Sequence, residues 1–201
     1  MPTFSVTTST GRMPRGDVVE LVCAYAREQL SPARAAHVER VAQLSAELCR
    51  RFGVDVQRGL LAACGHDIAR EWPHERLMSE AARCGEPVSP FERNHPVLLH
   101  GRVAALILRD RFNVTDPAVL NAVRHHTLGH PQMGQLEKLL FVADYFEPGR
   151  GFLTPQSRAA VEGDDLDQMV LAAIADVRRR GLSVAQPTAV LEAQLQRRVT
   201  G

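Results

Sequence analysis

The chain has 201 residues, 45% of them hydrophobic and 23% charged, and 24 basic against 23 acidic side chains leave a formal charge of +1. That length suits one domain with a real core, and the hydrophobic content excludes a chain that is disordered throughout. The near-neutral balance supplies no field that would steer the protein to nucleic acid or to a membrane surface, and the longest apolar runs, such as 104–108, fall far below the roughly 20 residues of a membrane span.

Met1 to Gly16 is rich in Thr and Ser and lacks an apolar stretch, so it reads as a frayed tail over 1–15 rather than a signal peptide. One domain then covers 16–201. Cys23, Cys49, Cys64 and Cys84 form no C-x-x-C pair and read as reduced thiols of a cytoplasmic protein. Lys138 is the single lysine among the basic residues, a bias put down to codon composition.

Helical periodicity runs through nearly the whole chain. Asp17 precedes an apolar-periodic stretch to Leu30. Ser31-Pro32 supplies an N-cap followed by proline at the first helical position, where its missing N–H costs nothing. The helix it opens carries Val38, Val41, Leu44 and Leu48 and stops near Gly53. Asp55 caps a third helix expected to run through Leu60, Leu61 and Ile68. The Gly- and Pro-punctuated residues 84–96 read as a loop, after which Pro96 opens a helix with Leu99, Val103 and Ile107. Asp116-Pro117 starts another, through Leu120, Val123 and His126. A loop with Gly129, Pro131 and Gly134 leads to the run Leu136 to Phe146, ended by Pro148-Gly149. Further helices follow Thr154-Pro155, span Asp165 to Arg180, and follow Pro187. No strand pattern of useful length intervenes, so the expected fold is an all-α bundle.

One His-Asp dipeptide, His66-Asp67, is weak evidence in a chain with eight histidines. Its company strengthens it. His37 shares a helical face with Val41, Leu44 and Leu48; His100 lies on the stripe of Val103, Ala104 and Ile107; His126 follows Val119 and Val123; Asp144 follows Leu136 and Leu140. Four helices thus turn an imidazole or carboxylate inward, and a fifth adds the His-Asp pair. Buried carboxylates need a positive partner, and bundle cores hold metals through side chains of facing helices. His74 and His95, beside prolines, read as solvated surface. His125 and His130 flank His126 and are left open between groups that support the ligands and groups that meet a substrate.

The order His37, His66-Asp67, His100, His126, Asp144 resembles the metal signature of the HD-domain phosphohydrolases. It is more narrowly similar to their YqeK-type branch, the symmetrical bis(5′-nucleosyl)-tetraphosphatases. The matching text spans about residues 31–150: Arg34-x-x-His37, CGHDIAR at 64–70, LLHG at 98–101, HHTLG at 125–129 and LEKLLFVADYFEPGR at 136–150. Residues 152–201 would form accompanying C-terminal helices. Cys64-Gly65 stands where the family usually has bulkier apolar residues, and Arg70 where lysine is common. No Gly-Tyr-Pro follows the core, which separates the chain from the cyclic dinucleotide phosphodiesterases of the same superfamily.

The resemblance implies an HD-type helical bundle with a di-iron centre in its core. Imidazole and carboxylate ligands without thiolate point the same way, to iron or manganese rather than structural zinc, and six ligands suit two ions better than one. Asp67 is placed as the bridging carboxylate, with His37, His66 and Asp144 on one ion and His100 and His126 on the other. The implied reaction is symmetrical hydrolysis of diadenosine tetraphosphate to two ADP by a metal-bridging hydroxide. Asp67, Arg70 and Arg150 would serve catalysis; Arg34, Thr127, Gly129, His125 and His130 would meet the dinucleotide; Lys138 is read as surface. Two other readings stand beside it: an HD-domain nucleotidase or other nucleotide phosphohydrolase, and a non-catalytic nucleotide-binding regulator. The oligomeric state is open, a dimer included.

Overall fold

A computed structural model describes residues 15–200. Among them the chain is helical with no strand. The first half contains α1 (Arg15–Gln29), α2 (Pro32–Arg51), α3 (Val56–Gly65), α4 (His74–Ala81) and α5 (Pro90–Asn94). The second contains α6 (His100–Phe112), α7 (Pro117–His125), α8 (Gln135–Phe146), α9 (Pro155–Ala159), α10 (Leu166–Arg179) and α11 (Gln186–Thr200). Residues 1–14 of the expected tail lie outside the described residues, and Arg15 already opens α1.

The caps expected from the sequence are formed. Ser31 Oγ accepts from Arg34 N–H, Asp55 from the N–H groups of Gln57 and Arg58, Asp116 from Ala118, Thr154 from Ser157, and Asp165 from Asp167 and Gln168. Each such cap contributes about 1 kcal/mol by satisfying a donor the helix cannot. The apolar faces they start converge on one core. α3 is packed by α1, α2, α7 and α8, and α8 also meets α10. Leu48, Ile68, Leu108, Leu139 and Leu140 are fully buried there, each worth roughly 1.5–3 kcal/mol over an exposed position. A smaller cluster of Ala69, Leu77, Ala81, Leu99 and Val103 seats α4 against α6.

Three expectations are corrected. α3 ends at Gly65, short of Ile68; Ile68 N–H then donates to Gly65 O (3.4 Å) and Arg70 N–H to Asp67 O (2.8 Å), so His66-Asp67 sits in tight turns. Residues 84–96 are not all loop, because Ser89 and Glu92 form a capping box that opens the five-residue α5. A helix that short gives no periodic signal. The buried Arg102 holds this segment by donating to Glu92 Oε1 (3.2 Å), Glu86 O (2.6 Å) and Pro87 O (3.4 Å). Finally, Cys23 and Cys64 are not free thiols but a disulfide joining α1 to α3. They lie 41 positions apart in the sequence, and it is the packing of α1 on α3 that brings them together, which spacing alone does not reveal. Cys49 and Cys84 are free.

Two glycines set close approaches. A Cβ on Gly65 would meet Leu108 Cδ1 at 2.7 Å, so the small residue before the His-Asp pair makes room for α6. A Cβ on Gly101 would stand 2.8 Å from Val123 O and 3.1 Å from Arg124 O and His126 Nδ1, backbone and ring atoms that cannot swing away. Gly101→Ala should therefore push α6 off α7 and cost about 1–3 kcal/mol, the usual range for overpacking. For a chain of this size that is roughly 2–12 °C in Tm, read by thermal unfolding. Gly151→Ala, with nothing within 4 Å, should leave Tm unchanged; equal Tm values for the two variants would contradict the packing argument.

Candidate metal centre

The bundle delivers four imidazoles and two carboxylates to one place. His37 comes from the second turn of α2, His66 and Asp67 from the turn after α3, His100 from the first residue of α6, His126 from just past α7, and Asp144 from α8. All four histidines and Asp67 are at most 4% exposed, and Asp144 is half-buried. Three groups of ligand atoms drawn from these six residues each lie within 4.8 Å of one another: His37, His66 and Asp67; His66, His126 and Asp144; and Asp67, His100 and His126.

Asp67 organises the set. Its Oδ2 lies 3.6 Å from His37 Nε2 and 3.5 Å from His66 Nε2, whereas its Oδ1 lies 3.0 Å from His100 Nε2 and 3.9 Å from His126 Nε2. Asp144 Oδ1 stays with the first pair, 3.0 Å from His37 Nε2 and 3.8 Å from His66 Nε2. One carboxylate is thus divided between two sets of imidazoles.

Every imidazole points the same nitrogen inward. Nδ1 of His66, His100 and His126 sits 2.6, 2.5 and 2.7 Å from the carbonyl three residues earlier, of Ala63, Val97 and Val123 respectively. An Nδ1–H donated to a carbonyl leaves Nε2 as a lone pair. The Nε2 atoms of His100 and His126 then face each other at 3.0 Å, and the buried Nε2 atoms of His37 and His66 have no aligned hydrogen-bond partner. Converging lone pairs beside two carboxylates suit a Lewis acid. The residues present therefore fit a metal centre of imidazole and carboxylate donors.

The ionisation of His126 and of the two carboxylates agrees with this, while that of His66 shows instead the pull of the two acids on its imidazole. Burial, with the neighbouring His100 and His66, pushes His126 down to about 3, so it remains a neutral donor through the physiological range. Burial would raise Asp67, but His66 and His100 overcome it and hold the carboxyl well below its ordinary value. Asp144 behaves alike, its burial outweighed by His37, His66 and Arg150. For His66, burial opposes the charged form, and the Asp67 and Asp144 charges raise its pKa nonetheless.

Arginines rim the cluster. Arg34 Nη1 donates to Asp67 Oδ2 (3.0 Å), and Arg150 Nη2 to Asp144 Oδ1 (2.6 Å) and Asp144 O (2.9 Å). Arg70 makes no side-chain hydrogen bond or ion pair among the described residues, and neither does Thr127. Gly129 plays a different part from the one expected of it. Its N–H donates to His125 O (2.8 Å), its φ is +67°, and a Cβ would meet Leu191 Cδ2 at 2.7 Å, so it terminates α7 against α11 and offers no free donor. His125 and His130 stack at 4.7 Å, and His125 Nδ1 meets Glu137 Oε1 at 2.7 Å, outside the ligand-atom groups. Lys138 pairs with Asp167; His74 and His95 are exposed. Glu147 and Arg40 had no role assigned from sequence, yet Glu147 Oε1 lies 3.1 Å from His37 Nδ1 and Arg40 binds Glu147. The one available signal was the position of Glu147 directly after the Asp144 helix.

The HD-domain family model matches residues 34–149. The chain belongs to the HD-domain family. It is 35% identical over 155 residues to a Bacillus subtilis protein named bis(5′-nucleosyl)-tetraphosphatase, symmetrical, covering 77% of this chain and 83% of that one. A Halalkalibacterium halodurans protein of the same name is 29% identical, over 87% of this chain and 91% of the relative. A solved structure described as a predicted HD superfamily hydrolase involved in NAD metabolism, from Clostridium acetobutylicum, superposes with a TM-score of 0.81 at 27% identity, covering 89% of this chain and 97% of that one. Among the described residues, no helix of this HD-domain protein is long and apolar enough to cross a membrane.

Because both oxygens of Asp67 face imidazoles, Asp67→Ala should strip more metal than His126→Ala, which removes a single donor nitrogen. Elemental analysis of the purified variants reads this directly; equal metal content in Asp67→Ala and the parent would contradict the shared-carboxylate geometry.

Proposed function

We propose that the chain hydrolyses diadenosine tetraphosphate and related dinucleoside polyphosphates symmetrically, giving two nucleoside diphosphates. The observation that carries this reading is the division of Asp67 between two imidazole sets, in a chain whose relatives bear that activity in their names. His37, His66 and Asp144 would hold one ion and His100 and His126 the other, with Asp67 between them. Iron is the expected metal, with manganese the alternative. When bound, such a pair supplies an acidified water and neutralises phosphate charge.

The remaining work falls to the chain's own side chains. A tetraphosphate bridge is long and polyanionic, so cations must decide which phosphorus faces the water and must neutralise the diphosphate that leaves. Among the described residues Arg70 has no side-chain partner to give up. Arg150 and Arg34 already sit against Asp144 and Asp67, where they orient the carboxylates and can turn a second N–H to a phosphate oxygen. Thr127, next to His126 in the chain, would offer its hydroxyl to the dinucleotide, and the His125–His130 stack would offer a flat ring pair.

The test is product identification with diadenosine tetraphosphate. ADP should be the sole nucleotide product, and its formation should stop on metal chelation and resume on adding iron or manganese. Arg70→Ala should lose roughly tenfold to a hundredfold in kcat/KM, the worth of a charge-assisted contact, with metal content unchanged. Arg150→Ala should lose at least as much. ATP plus AMP from the parent protein would refute symmetrical cleavage, and turnover of nucleoside monophosphates or guanosine tetraphosphate in its place would move the chain to another branch of the family.

A further inference from the structure

We propose that Glu147 is the positioning residue of His37, fixing its tautomer so that the half of the centre built on His37, His66 and Asp144 takes the tighter of two metal ions; this rests on the two-ion reading above.

The argument begins with the odd position of His37. His66, His100 and His126 lie at or next to helix ends, where each finds its Nδ1 acceptor three residues back in its own chain. His37 lies inside α2, where the preceding carbonyls serve the helix ladder. Its acceptor must come from elsewhere in the fold, and Glu147, 110 residues away, supplies it at 3.1 Å.

Glu147 is built for that task. It is 1% exposed, and a carboxylate there must be fully paired to remain charged. Arg40 donates through Nε to Oε2 (2.5 Å) and through Nη2 to Oε1 (3.3 Å), and Gly149 N–H donates to Oε2 (2.6 Å). Together with His37 these donors outweigh burial and hold the carboxyl below its ordinary pKa. Gly149 also leaves the space that Arg40 fills: a Cβ there would stand 2.3 Å from Arg40 Nε and 2.5 Å from its Cζ. Glu147, Gly149 and Arg40 form one bracket behind one imidazole.

The consequence is asymmetry. A carboxylate accepting from Nδ1–H makes the opposite nitrogen a stronger donor than a carbonyl does. Asp144 also lies nearest the His37 half, 3.0 Å from His37 Nε2 and 3.8 Å from His66 Nε2, and reaches His126 only within the wider 4.8 Å group, whereas His100 meets Asp67 alone. Both donor strength and local charge favour the His37 half.

The test titrates metal-free protein with Mn2+ by calorimetry and reads the His37 tautomer by long-range nitrogen–proton NMR. The parent should bind two ions with distinct affinities and show His37 protonated on Nδ1. Glu147→Leu should lose about 10–100-fold at the tighter ion, leave the weaker one unchanged, and release His37 into a mixture of tautomers. Glu147→Gln, whose amide oxygen still accepts from Nδ1–H, should keep the tautomer and lose less. Gly149→Ala, which displaces Arg40 without touching His37, should fall between the parent and Glu147→Leu. A folded Glu147→Leu protein with parental affinities and an unchanged tautomer would overturn the proposal. Should that variant fail to fold, parental affinities in both Glu147→Gln and Gly149→Ala would overturn it equally. If the parent binds one ion only, the two-ion reading fails while Glu147 is judged on that ion: weakened binding in the variants supports its role, and unweakened binding refutes it.

Discussion

A carboxylate 2% exposed, with each oxygen facing a different pair of imidazoles, is the constraint around which this bundle is arranged. Asp67 cannot be buried as an anion unless positive charge meets it on every side. The fold meets that demand with Arg34 from the first turn of α2 and gathers around the carboxylate imidazoles from α2, α6 and the ends of α3 and α7 whose donor set fits a metal cation. Moving any one of these helices would leave charge uncompensated. The packing of α2, α7 and α8 around α3 is therefore as much an electrostatic requirement as a hydrophobic one.

Helix ends do much of this work. A histidine at or beside a helix end can bond Nδ1 to the carbonyl three residues earlier, and three of the four imidazoles are aimed by this local device. Small residues beside them let the helices come near enough for the rings to meet: Gly65 admits Leu108, and Gly101 admits the carbonyl of Val123 that holds His126. Cys64-Gly65 before the His-Asp pair serves the same close packing: one of the two is bonded to Cys23 and the other has no side chain to place.

The cations divide by their surroundings. Arg150 and Arg34 are ion-paired to the acids of the centre, Arg40 to the acid behind His37, and Arg102 of α6 is buried against the segment that precedes its helix. Arg70 is without a partner among the described residues. Charge that is already neutralised serves to orient; charge that is not remains available to a polyanion.

Composition, caps and helical periodicity by themselves determined the all-α class, the starts of most helices, and the inward faces of His37, His100, His126 and Asp144. These signals are local: a cap acts within four residues and an amphipathic face within a few turns. What depends on contacts between distant segments was decided only by the tertiary structure. The Cys23–Cys64 bond needed α1 laid on α3. The loss of Ile68 from α3 needed the turns that present His66 and Asp67. The lack of room for a side chain at Gly129 needed Leu191 of α11 beside it, and the bracket of Glu147 and Arg40 behind His37 needed α8 to end against α2. A histidine in mid-helix has no spare carbonyl of its own, so its partner had to come from another part of the chain, and no spacing in the sequence names it.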